Sequence, residues 1–105
     1  MFDWQLNQQN RIDFVMVDAT GTEVSGLGAG FTLTLSKNGG AFAASSGTKA
    51  EIGNGWYTYL ATAGEADTIG PIAVKVTGAG AVQQNLEYVV EQRNPGAISY
   101  TYTLT

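Results

Sequence analysis

Two pairs of carboxylates are the first residues to consider for catalytic chemistry. Glu65 and Asp67 lie two positions apart, and Glu87 and Glu91 lie four apart. Such a pair can serve as general acid and general base in glycoside hydrolysis. Glu65 and Asp67 fall in a turn of small residues that offers no aromatic platform for a sugar, so we interpret them as solvated turn charges. Glu87 and Glu91 share the polar face of a strand, which a hydrated sheet surface explains.

A second candidate is a calcium site in residues 18–23. Asp18, Thr20 and Glu23 supply oxygen atoms, the ligands that calcium prefers. The segment lacks the dense Asp and Asn spacing of a dedicated calcium loop. An Asx-type turn, in which Asp18 accepts hydrogen bonds from the following backbone, is the favoured interpretation.

Other chemistries are excluded by residue types that the chain lacks. It contains no Cys and no His, which excludes thiolate nucleophiles, His-based triads and Cys or His metal ligands. Gly26, Gly28 and Gly30 resemble a phosphate loop only superficially, because no Lys follows at the required spacing and a strand follows instead of a helix. Five basic residues against nine acidic ones give a net charge of −4, without the positive surface that nucleic acids require. We expect no enzymatic activity, no metal and no cofactor.

Aromatic side chains remain as candidates for recognition. Trp4, Trp56, Tyr100 and Tyr102 could stack on a sugar. Tyr100 and Tyr102 share a face with apolar residues, which favours the core for both. Trp56 is the best candidate for an exposed ring, but a single Trp makes a weak sugar platform. Contact with a protein is preferred over sugar binding because aromatic residues are enriched at the cores of interfaces.

The elements that position these residues follow an alternation of period two, which is typical of strands. In residues 31–36, apolar and hydroxyl side chains alternate without an error, and Asn38-Gly39 and Asn54-Gly55 are strong hairpin signals. Residues 63–68 could form one helical turn. Strands are predicted in the following segments: 11–17, 31–36, 41–43, 49–52, 56–61, 72–77, 81–91 and 98–104.

This pattern predicts an all-β fold, an immunoglobulin-like two-sheet antiparallel sandwich of about seven or eight strands. A small closed barrel is the alternative that the pattern leaves open. Residues 1–105 are expected to form a single domain. Because the alternation continues to the last residue, we also expect that this domain was excised from a longer chain.

Three segments resemble a β-sandwich domain of the structural proteins of tailed bacteriophages, found in tail, baseplate and head-fibre components. They are residues 31–43, 51–59 and 63–70, and the resemblance extends over residues 31–93. It implies a non-enzymatic structural or interaction module of a phage particle, located in the virion. Its implied partners are other virion subunits, adjacent β domains of the same chain or further copies. A carbohydrate- or cell-surface-binding module is the alternative.

The resemblance also orients the strand at residues 56–61, whose alternation alone permits either face to be buried. Similar domains often bury the Tyr of a Gly-x-Tyr step, here Tyr57, with its hydroxyl bonded to backbone. Tyr57 and Tyr59 are then expected inward, and Trp56 and Leu60 outward. The predicted interface residues are Trp56, Leu60 and Trp4. No signal peptide or membrane-spanning segment is apparent, and neither nucleic acid nor membrane is an expected partner.

Overall fold

The chain folds into two β-sheets packed face to face, as a computed structural model that describes residues 2–92 shows. The strands, in chain order, are β1 (Phe2–Gln5), β2 (Asn10–Val15), β3 (Thr32–Lys37), β4 (Ala43–Ala44), β5 (Thr48–Gly53), β6 (Trp56–Ala61), β7 (Gly70–Thr77) and β8 (Gln84–Glu91). A short 3₁₀ turn, Ala63–Ala66, joins β6 to β7. The all-β prediction is confirmed, and the predicted strand at residues 98–104 lies outside the described residues, as do Tyr100 and Tyr102.

The order of the strands is that of an immunoglobulin-like sandwich. One sheet has the order β1-β8-β7-β3-β4 and the other β2-β6-β5. Consecutive strands β2 and β3 belong to opposite sheets, so the chain crosses between layers as it does in that fold. Because the described strands form two separate sheets and not one closed sheet, the fold is a sandwich and not the alternative closed barrel.

One pairing departs from the predicted antiparallel arrangement. β1 runs parallel to β8, whereas every other pairing among the described strands is antiparallel. A tight hairpin can join only antiparallel neighbours. β1 and β8 are far apart in sequence, and β1 continues into the opposite sheet, so no hairpin constrains their directions.

Both Asn-Gly turns adopt the backbone conformation that their residues allow. Asn38 and Gly39 have φ of 48° and 82°, and Asn54 and Gly55 have φ of 55° and 83°. Positive φ at both central residues matches the right-handed twist of the flanking strands. These turns fix where β4 returns beside β3 and where β6 begins beside β5.

The core consists of the apolar faces of the two sheets. Phe14, Phe31 and Tyr57 form an aromatic cluster across the layers, with Phe31 edge-on to both neighbours at centroid distances of 5.4 Å. The alternation in the predicted strands 11–17, 31–36 and 72–77 places every second, apolar side chain on one face, and these side chains are buried. They are Ile12, Phe14, Met16, Phe31, Leu33, Leu35, Ile72, Val74 and Val76. In the predicted strand 81–91, alternation places Val82, Leu86, Tyr88 and Val90 on one face. Tyr88 and Val90 are buried, Leu86 is half-buried, and Val82 precedes β8 and is exposed.

The long loop between β2 and β3 is held by one side chain of β5 and one side chain of β6. The Tyr57 hydroxyl donates to the Val24 carbonyl at 2.7 Å. The Glu51 carboxylate accepts hydrogen bonds from the Gly26 and Gly28 amides at 2.8 and 2.9 Å. Glu51 and Tyr57 are cross-strand partners, so adjacent positions of one hairpin hold the same loop.

Replacing Tyr57 should destabilise the fold far more than replacing its neighbour Trp56. Tyr57→Ala removes a ring that is fully buried together with its hydrogen bond to Val24, which costs about 3–5 kcal/mol for a buried aromatic residue. Trp56→Ala should cost about 1 kcal/mol or less, as expected for an exposed side chain. Urea unfolding of the two variants measures the difference, and equal small losses would contradict the assigned orientation of β6.

Acid should weaken the hold of Glu51 on the loop. Hydrogen bonds from the Gly26 and Gly28 amides lower the pKa of Glu51 below its usual 4.5. A carboxyl whose folded-state pKa is lowered stabilises the fold above its unfolded pKa, and this contribution is lost as the pH falls through the folded value. Glu51→Gln should therefore be less stable than the native chain at neutral pH, and the difference should narrow as the pH falls below about 4.5.

Urea midpoints at a series of pH values test this expectation. Glu87→Gln is the control, because Glu87 lies exposed on β8, away from the loop that Glu51 holds. A difference between Glu51→Gln and the native chain that stays constant with pH would contradict the assignment.

Candidate interaction surface

The structure shows which face of strand β6 is buried, a choice that its alternating sequence left open. Tyr57 and Tyr59 are fully buried, whereas Trp56 is 47% exposed and Leu60 is half-buried. Successive residues of a strand point to opposite faces, so burial of the tyrosines forces Trp56 and Leu60 outward. The predicted orientation is confirmed.

Trp56 and Leu60 belong to what we call the outer face, the side of the sheet β2-β6-β5 that points away from the core. The register places Val15 opposite Trp56 and Arg11 opposite Leu60, and cross-strand partners share a face. Its members on the three strands are Arg11, Asp13, Val15, Thr48, Ala50, Ile52, Trp56, Thr58 and Leu60.

The two large apolar side chains of the outer face that are most exposed, Ile52 and Trp56, lie at one end of it. Ile52 is 59% exposed and lies just before the Asn54-Gly55 turn, and Trp56 directly follows that turn. Val15 is the cross-strand neighbour of Trp56. We call Val15, Ile52 and Trp56 the apolar patch. The turn thus places two large exposed side chains at the end of one hairpin.

The charges of the outer face cancel. Arg11 and Asp13 are its charged members, and Arg11 donates to the Thr58 hydroxyl at 3.0 Å. Their sum is +1 − 1 = 0, while the whole chain carries −4. The aliphatic and aromatic groups of the face are favourable to bury, whereas Arg11 and Asp13 each need a partner group when they are desolvated.

Trp4 does not belong to this surface, so its prediction as an exposed interface residue is wrong. It is 2% exposed and packs on Tyr88 with ring centroids 5.4 Å apart. Pairing with β8 places Trp4 beside Val90, a core residue, on the inward face. Burial leaves the indole Nε1 without a hydrogen-bond partner.

A cleft of about 300 Å³ opens between the edges of β1 and β2, on the side of the sandwich where Trp4 lies. Its walls combine aromatic and polar side chains, namely Asp3, Trp4, Asn10, Arg11, Ile12, Asp13 and Tyr88. Burial raises the pKa of the Tyr88 hydroxyl, and the negative charge of Asp13 adds to the increase. The cleft marks the open side between the two sheets.

Glu65 was predicted to be a solvated turn charge, and this prediction is wrong. The side chain is 6% exposed, and its carboxylate accepts hydrogen bonds from the Tyr59 hydroxyl at 2.6 and 2.7 Å. The backbone amides of Thr62 and Ser46 donate to the same carboxylate at 2.9 and 3.0 Å. Burial, followed by the hydrogen bond with Glu65, raises the pKa of Tyr59 well above its usual 10.

The geometry makes Glu65 a structural link. Its oxygens accept bonds that join β6, the 3₁₀ turn and the loop before β5, so they are engaged with donors of the fold. A sequence signal for this existed, because Thr62 and Glu65 form a capping box, in which each side chain bonds to the backbone amide of the other.

Asp67, Glu87 and Asp18 lie where the sequence predicted them, on the surface or in a turn. Asp67 is exposed and forms an ion pair with Lys37 at 3.0 Å, and the Lys37 ammonium is the main reason that its pKa lies below the usual value. Glu87 is exposed on β8. Asp18 forms the predicted Asx-type turn by accepting from the Thr20 and Thr22 amides at 2.9 and 3.0 Å. Residues 2–92 contain no cluster of three or more potential acidic metal ligands.

Removing the charge of Glu65 should destabilise the fold, since Gln offers one acceptor oxygen where the carboxylate offers two. The Gln amide group would face the amide of Thr62 or Ser46, donor against donor. We expect Glu65→Gln to lose about 1–3 kcal/mol of unfolding free energy, measured by urea denaturation. Asp67→Asn is the matched control and should cost little, because its ion pair is exposed. Equal losses in both variants would contradict the structural role of Glu65.

Comparison with known proteins leaves the chain without a family assignment. No protein-family model matches it, and no curated protein is similar to it in sequence. In residues 2–92 there is no helix of the length and apolarity needed to cross a membrane.

Proposed function

We propose that this domain is a non-enzymatic structural or interaction module of a tailed-phage particle, and that it docks a neighbouring virion subunit or β domain through its outer face. The observation that carries the proposal is the apolar patch, in which Ile52 and Trp56 are each about half exposed at the end of one hairpin. Large apolar side chains exposed at neighbouring positions of a hairpin are a feature of contact sites.

The energetics favour docking at this position. Covering the exposed half of Trp56 removes about 100 Å² from water, which stabilises a complex by about 2–3 kcal/mol. Ile52 and Val15 extend the same contact.

The phage setting is supported by the resemblance over residues 31–93, which includes the hairpin that forms the apolar patch. The resemblance is to domains that build virions and carry no active site. Engagement of Glu65 and Asp18 within the fold agrees with a structural role, because these carboxylates serve local hydrogen bonds.

Glycan recognition is the competing function, and among its candidate residues within 2–92, Trp56 is the exposed one. Trp4 is buried, and Tyr100 and Tyr102 lie outside the described residues. A flat ring flanked by Ile52 and Val15 fits an apolar protein surface better than a sugar, whose hydroxyls need several polar partners around the ring.

Photo-cross-linking in assembled particles tests the proposal. A photoreactive phenylalanine analogue is placed at position 56 of the protein as encoded in its phage or prophage, and at position 82 as the control. Val82 is as exposed as Trp56 but lies in the loop before β8. We expect cross-links from position 56 to another virion subunit or to a neighbouring β domain, and far fewer from position 82.

Two outcomes would overturn the proposal. The first is the absence of the chain from purified particles by mass spectrometry. The second is reproducible binding of the chain to a glycan array that is lost in Trp56→Ala, which would assign recognition of sugars to the same residue.

A further inference from the structure

The edges of the two sheets differ in how they are protected against pairing with another chain. Among the strands of residues 2–92, β1 and β4 are the edges of the five-stranded sheet, and β2 and β5 are the edges of the three-stranded sheet. An edge strand presents unpaired backbone amides and carbonyls, and proteins block such edges with short strands, bulges or inward-pointing charges.

Three of these edges carry such protection. β4 has two residues and β1 has four. On β5, Lys49 and Glu51 point inward, as their bonds to the Phe31 carbonyl and to the Gly26 amide show. The register of β5 also shifts near its end.

The edge of β2 lacks these features. Its six residues pair with β6 in a continuous register without a bulge. Its inward side chains are apolar, Ile12 and Phe14, and it contains no proline. Within residues 2–92, β2 pairs with β6 alone, and the cleft that Trp4 lines runs beside its other edge.

The two charges of β2 are arranged to select one register rather than to block pairing. Arg11 and Asp13 both lie on the outer face, one on each side of Ile12. In an antiparallel pair of two β2 strands centred on Ile12, Arg11 of each copy faces Asp13 of the other. Centring the pair on Arg11 or on Asp13 would instead place like charges opposite each other, which is unfavourable.

We propose that β2 is a self-association edge, where two copies of this chain pair antiparallel about a two-fold axis at Ile12. The two three-stranded sheets then form one continuous six-stranded sheet. An isologous contact of this kind is closed, so it yields a dimer and not a fibre. The dimer also places the two outer faces on one continuous surface. Its formation does not require the docking proposed above.

Charge reversal provides the test, with sedimentation equilibrium of the full chain over a range of concentrations as the measurement. The native chain should dimerise. Arg11→Asp and Asp13→Arg should each weaken dimerisation by at least about tenfold, because each places like charges opposite each other twice per dimer. Glu87→Arg is the matched control for Asp13→Arg, since it changes the net charge equally on the other sheet and should leave dimerisation nearly unchanged.

Complementation makes the test specific for the register. An equimolar mixture of Arg11→Asp and Asp13→Arg should form mixed dimers, because each like-charged edge then faces its opposite. The double variant R11D/D13R should also recover dimerisation, which excludes misfolding as the cause of the single effects. A native chain that stays monomeric, single reversals without effect, or failure of both the mixture and the double variant would each overturn the proposal. Trp56→Ala should leave dimerisation unchanged, so that failure of this inference is distinguishable from failure of the docking function.

Discussion

The two buried tyrosines of β6 are the interaction on which the rest of the structure depends. Tyr57 bonds to the loop between β2 and β3, and Tyr59 bonds to Glu65 beyond the end of its own strand. Each ring fills the core, and each hydroxyl satisfies a polar group that burial would otherwise leave unpaired. Because a strand alternates strictly, holding both rings inward leaves Trp56 and Leu60 no position but the outer face. The proposed docking surface is therefore a consequence of core packing.

Two groups of charged side chains have different roles in the structure. Glu51 and Glu65 turn inward and bind backbone amides, which fixes loops to the sandwich. Arg11 and Asp13 remain on the outer face, where they cancel. The chain as a whole is acidic, whereas this sheet face has no net charge and adds no local repulsion toward another acidic molecule.

Much of the fold could be predicted from the sequence, because alternation and Asn-Gly turns are local signals. They located the hairpin of β5 and β6 and the inward faces of β2, β3 and β7. The strand predicted at residues 41–43 overlaps β4 only at Ala43. Trp4 could not be placed in this way, since its burial depends on parallel pairing with β8, a contact between distant parts of the chain. For Glu65, the sequence contained part of the information, because the spacing of Thr62 and Glu65 is that of a capping box. The hydrogen bond from the Tyr59 hydroxyl, which accompanies the burial of Glu65, depends on the tertiary fold. The outer face was predictable once one tyrosine had been assigned inward.

The placement of the two tryptophans also gives the chain a pair of intrinsic optical reporters. Trp4 sits in an apolar environment against Tyr88, and Trp56 lies half in water. Their fluorescence therefore differs in emission colour and in access to soluble quenchers. Emission from the buried Trp4 changes when the core unfolds. Emission from the exposed Trp56 changes when a partner binds to the sheet. One unlabelled sample can thus separate loss of structure from capture of a partner.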